Sequence, residues 1–85
     1  EDALVAIRTL RDEYAAQQRR VTAAQNAARL SQARYDGGVV DYLEVLDSAR
    51  TRFNAELDQS ATLQNYLNAI VLLYKALGGG WPASP

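Results

Sequence analysis

Cysteine and histidine are both missing from these 85 residues. Without cysteine there is no disulfide, no thiolate nucleophile and no ordinary structural zinc site. Without histidine the commonest general base and metal ligand is gone as well. Proline is confined to Pro82 and Pro85, so nothing but the pair Gly37-Gly38 interrupts a helical pattern over residues 1–77. Charge of one sign is not in excess: nine Lys or Arg stand against ten Asp or Glu. That balance excludes the electrostatic footprint of a nucleic-acid binder and a polybasic membrane patch. The longest apolar run, Ala69-Ile70-Val71-Leu72-Leu73-Tyr74, is far short of the ~20 residues a membrane-spanning helix needs. No signal peptide opens the chain, which begins in charged helical sequence at Glu1-Asp2 and reads as a piece of something longer. A chain of this length makes one small unit and buries only a modest share of its surface alone.

What is present is helix-patterned sequence in two arms. In the first, a 3.5-residue repeat runs through Ala3, Ile7, Leu10, Tyr14, Gln17, Val21, Ala24, Ala28, Ser31 and Tyr35, and eight of these ten are apolar. The second carries Tyr42, Leu46, Ala49, Phe53, Glu56, Ser60, Leu63, Leu67, Ile70, Tyr74 and Leu77, nine of eleven apolar. A repeat of seven rather than 3.6 predicts helices that supercoil around partners. Further stripes, Ala16, Ala23, Ala27 and Leu30 on the first arm and Tyr66, Val71 and Leu72 on the second, predict neighbours on more than one side. The expected fold is all-α: an antiparallel two-helix coiled-coil hairpin with a helix over about 2–35, a turn over 36–40 and a helix over about 41–77. Residues 78–85 form an irregular tail. Rows of alanine bury little area at roughly 25 cal/mol per Å², so the hairpin is expected to pack with further helices, by self-association or in an α-barrel.

Local signals agree on where the arms stop and start. Gly37 or Gly38 can adopt the left-handed conformation that ends the first helix, and Gly78 can end the second. Asp41 is a good N-cap, Glu44 stands three residues on as in a capping box, and Val40 and Val45 hold the hydrophobic-staple positions. Four acids, Asp36, Asp41, Glu44 and Asp47, lie between Tyr35 and Ala49 with no base among them, flanked by Arg34, Arg50 and Arg52. Capping and the helix dipole account for Asp41 and Glu44, whereas Asp47 lies beyond the first turn and is the better functional candidate. A hard cation could take Asp41, Glu44 and Asp47, but the spacing is not that of an EF-hand, and a bare hairpin tip has no cleft for paired-carboxylate catalysis. Core packing at heptad spacing accounts for Tyr14, Phe53 and Tyr74.

The stretch Arg34-Tyr35-x-x-Gly38, then Tyr42-Leu43-Glu44-Val45-Leu46-Asp47, Arg50 and Phe53, closing on Leu73-Tyr74-Lys75-Ala76-Leu77-Gly78-Gly79-Gly80-Trp81, resembles the C-terminal part of TolC-family outer-membrane efflux channels. Within that family it is most similar to the multidrug-efflux lipoproteins of the NodT type. The resemblance covers nearly the whole chain.

That resemblance implies the last pair of long helices in a periplasmic α-helical barrel built by three copies of the chain, in the outer membrane of a Gram-negative cell. The turn would lie at the periplasmic entrance, where Gly38, Val39 and Val40 face the hairpin of a periplasmic adaptor protein. Glu44 and Asp47 match acidic positions ringing the entrance constriction, and Tyr35 matches a tyrosine of the closing network. Val40 departs from the pattern: some members carry there an arginine that latches the closed state, leaving Arg34 or Arg50 as its substitute. The implied activity is passive export of drugs or other small molecules, driven through the adaptor by an inner-membrane pump, with no catalysis, cofactor, metal or nucleic acid. The alternative, a soluble coiled-coil oligomerisation or adaptor-interaction module, explains the heptads equally well and leaves the acidic tip and the Gly-Gly-Gly-Trp ending as coincidence.

Overall fold

The computed structural model describes residues 2–78 and consists of two long helices, α1 (Asp2–Asp36) and α2 (Tyr42–Ala76), each of 35 residues. At 1.5 Å per residue each is about 52 Å long. The turn between them lays them side by side in a rod measuring 61 × 25 × 14 Å. No strand occurs among the described residues. Of the tail, Gly78 alone is described, so Trp81 and its neighbours lie outside the described residues.

α1 turns the predicted line toward its partner. Ala3, Ile7, Leu10, Tyr14, Gln17, Val21, Ala24, Ala28 and Ser31 are all buried or half-buried, and of that series only Tyr35, at the tip, is exposed. The second stripe, Ala16, Ala23, Ala27 and Leu30, faces solvent.

α2 corrects the sequence reading. Its inward line is Val45, Ser48, Ala55, Gln59, Thr62, Tyr66, Ala69 and Leu73, displaced by one residue, about 100° around the helix, from the apolar series. Of the predicted series Ala49 and Glu56 are half-buried, but Leu46, Phe53, Leu63, Leu67, Ile70 and Tyr74 are left exposed, Phe53 to 57%. Both lines keep heptad spacing, so periodicity alone could not say which one meets α1. The line that carries Ser48, Ala55, Thr62 and Ala69 does, because small side chains at a contact let two helix axes approach closely. The bulky stripe remains available to other neighbours.

The interior is correspondingly thin. Its buried apolar centre is Val21, Ala24 and Ala55, the last with 0% exposure. Polar clasps flank this layer and set the register of one helix on the other: Arg20 Nη1 donates to Asp58 Oδ2 at 2.8 Å, Gln25 Nε2 to Glu56 Oε2 at 3.0 Å, and Gln59 Nε2 to Gln18 Oε1. Gln17 Oε1 and Ser31 Oγ are enclosed in the seam with no side-chain or backbone partner. Each such group weakens folding by about 1–3 kcal/mol.

Candidate functional site at the hairpin tip

α1 ends in a Schellman cap. The Gly37 N–H donates to Ala33 O at 3.0 Å, Gly38 N–H to Tyr35 O at 2.9 Å and Val39 N–H to Arg34 O at 2.8 Å. Together these bonds satisfy carbonyls that a helix end otherwise leaves open. Gly38 takes the left-handed conformation, φ +78°, and Gly37 does not. Three residues later Asp41 opens α2 from an extended conformation (φ −87°, ψ 172°), its Oδ1 accepting from the Glu44 N–H at 3.3 Å. Glu44 makes no reciprocal capping bond. Its carboxylate turns across the hairpin, Oε2 lying 3.9 Å from Arg34 Nε. Val40 is half-buried and Val45 buried at the staple positions. At the far end Gly78 (φ +74°) closes α2, donating to Lys75 O at 2.9 Å.

The tip residues divide into three groups. Tyr35 and Tyr42 meet edge to face across the turn, ring centroids 5.1 Å apart at 60°, tying the last turn of α1 to the first of α2. Glu44 and Asp47, one turn apart, line a groove of about 310 Å³ with Ala27, Ser31, Arg34 and Ser48. Asp47 Oδ1 accepts from Arg50 Nη2 at 2.9 Å, and Asp36 Oδ1 from Gln32 Nε2 at 3.0 Å. Val39 and Leu43 project from the tip, Leu43 to 72% exposure. Gly38, Val39 and Val40 therefore form the apex, with Tyr35, Glu44 and Asp47 on the flanks below it.

Two of these features escaped the sequence. The Tyr35–Tyr42 contact and the pairing of Arg34 with Glu44 both depend on how the turn folds, although aromatic residues on either side of a turn were a signal for the first. Chemically the tip offers exposed charge around an apolar apex: Glu44 and Asp47 are each beside an arginine, while Asp36 is held by the neutral Gln32 and Asp41 by the Glu44 N–H. Such ion pairs contribute about 0–1 kcal/mol each and exchange partners readily. Among the described residues no group of three or more acidic side chains is gathered to hold a metal ion, and no helix is long and apolar enough to cross a membrane.

Comparison with known proteins gives this geometry a context. The family described as "Outer membrane efflux protein" matches residues 1–79. The chain is 40% identical over 82 residues to the cation efflux system protein CusC of Escherichia coli O157:H7. It is 41% identical over 80 residues to the toluene efflux pump outer membrane protein TtgF of Pseudomonas putida DOT-T1E, and 41% identical over 83 residues to the outer membrane protein OprJ of Pseudomonas aeruginosa. Each alignment takes in 94% of this chain and 17% of the relative, so the chain spans about one sixth of the length of these proteins. No solved structure matches it. Relatives of this kind are transport proteins rather than enzymes, and the match along nearly the whole hairpin means that the chain belongs to the outer membrane efflux protein family.

Proposed function

We propose that this hairpin is part of the periplasmic wall of a trimeric, lipid-anchored outer-membrane efflux duct, with its tip at the duct entrance. Gly38, Val39 and Val40 there meet a periplasmic adaptor, and Tyr35, Glu44 and Asp47 help hold the entrance shut. The family match over residues 1–79 carries this reading. The outward stripe through Leu46, Phe53 and Leu67 supports it, since a helix wall needs apolar contact on both sides of every hairpin. A soluble oligomerisation module would use the same stripe but gives no reason for the efflux relatives.

The duct itself performs no chemistry; an inner-membrane pump supplies the energy through the adaptor. Three copies around an axis would repeat Glu44 and Asp47 three times and focus a negative potential at the entrance. Arg34 and Arg50, each beside one of these acids and each exposed, give the closed arrangement weak, exchangeable partners. A modest difference in interaction energy then shifts the open–closed balance.

The test is Asp47→Lys in the full-length parent protein. Altered pore conductance or altered drug susceptibility of the host cell is the expected result; behaviour identical to wild type removes Asp47 from the gate. Val39→Asp is expected to weaken co-purification with the adaptor, and undiminished recovery would move the docking surface elsewhere.

A further inference from the structure

The chain contains six aspartates and four asparagines, and only Asp36 is followed by glycine. At every other such step the next residue carries a Cβ that hinders attack by its own backbone nitrogen on the preceding side chain. We propose that Asp36-Gly37 is a site of spontaneous isoaspartate formation, held closed by the cap of α1 and released whenever that cap opens.

The chemistry needs only water. The Gly37 nitrogen gives up its proton and attacks Cγ of Asp36. A new C–N bond forms, a carboxyl C–O bond breaks and one water leaves, closing a five-membered succinimide. Water then adds to either ring carbonyl, restoring aspartate or giving isoaspartate, whose main chain runs through Cβ and Cγ. Water lost is regained, so composition and mass do not change.

Three features of the folded tip oppose the attack. Gly37's N–H is engaged by Ala33 O at 3.0 Å, which withholds the proton that must leave. Asp36 Oδ1 is held by Gln32 Nε2 at 3.0 Å, which fixes the carboxyl. Asp36 is also the last residue of α1, and ring closure requires it to leave the helical ψ of about −42°. Once formed, the extra main-chain carbon displaces the Gly37, Gly38 and Val39 N–H groups from the Ala33, Tyr35 and Arg34 carbonyls. The tip then cannot reclose in its original form, and opening of the cap leaves a covalent record.

The experiment incubates the 85-residue chain across a series from trimethylamine oxide to urea, which respectively favours and disfavours burial, at neutral pH. Circular dichroism reports helix, and peptide mapping with electron-transfer fragmentation separates the isomers. The rate at Asp36 is expected to rise at least about tenfold from the helical to the unfolded chain, the factor an opening free energy of about 1.4 kcal/mol gives. Gly37→Ala should suppress the reaction while keeping the cap, because a Cβ there meets Ala33 O at 3.5 Å and Arg34 O at 3.7 Å, ordinary contact. Gln32→Ala should raise the rate in the helical chain. Equal rates in helical and unfolded chains, or a rate at Asp36 no faster than at the other Asp and Asn steps, would overturn the proposal.

Discussion

Gly37 and Gly38 are adjacent, yet only the second needs to be glycine. At φ +78° a side chain on Gly38 is strained whatever space surrounds it, and Gly38→Ala is expected to lower hairpin stability by about 1–2 kcal/mol. Gly37→Ala should stay within about 0.5 kcal/mol of wild type. Parallel urea melts followed by circular dichroism check the difference, and equal losses would contradict the cap geometry. Asp41→Ala removes an N-cap and is expected to cost about 1 kcal/mol in the same assay. Ser31→Ala should go the other way: at 4% exposure its hydroxyl has no partner in the seam, so its removal stabilises by about 0.5–1 kcal/mol. The caps could be read from sequence because turn chemistry is local, each signal lying within five residues of its effect. Glu44 was read too narrowly, since its carboxylate reaches Arg34 only after the chain has reversed.

The helices themselves were legible from glycine placement and from heptads, and α1's inward face followed its pattern down to Ser31. α2's did not, because it carries two heptad lines and hydrophobicity favours the wrong one for the intra-hairpin contact. What decides is size: Ser48, Ala55, Thr62 and Ala69 fit against α1 where Leu46, Phe53 and Leu63 would hold it off. Ala55→Leu therefore overfills a fully enclosed position and is expected to destabilise the hairpin by about 1–3 kcal/mol. Phe53→Gln, two residues away on the outward stripe, should leave the intra-hairpin contact intact. Thermal melts of dilute protein distinguish them; a larger loss from Phe53→Gln would mean that α2 is rotated from the orientation described.

Among the described residues large apolar side chains such as Leu43, Phe53, Leu67 and Leu72 are exposed while the buried apolar ones are only valine and alanine, Val21, Ala24, Val45 and Ala55, a poor core for a self-sufficient globule. The isolated chain is expected to associate, with a light-scattering mass above that of a monomer. Replacing Leu46, Phe53 and Leu67 together with glutamine should return that mass toward the monomer value. An unchanged assembly would assign the contact to some other face. Added sulfate should strengthen the association, as it does apolar burial generally. The need for neighbours was visible in the sequence as surplus stripes, but not which stripe serves the neighbours. The seam between α1 and α2 has a mechanical corollary. Stubs such as Ala24, Ala55, Thr62 and Ala69 give the two rods few interlocking teeth, and crosswise straps such as Arg20–Asp58 are what resist lengthwise creep. A load on one end is then relieved by shear between the rods, so the pair flexes as a laminate rather than as a solid beam.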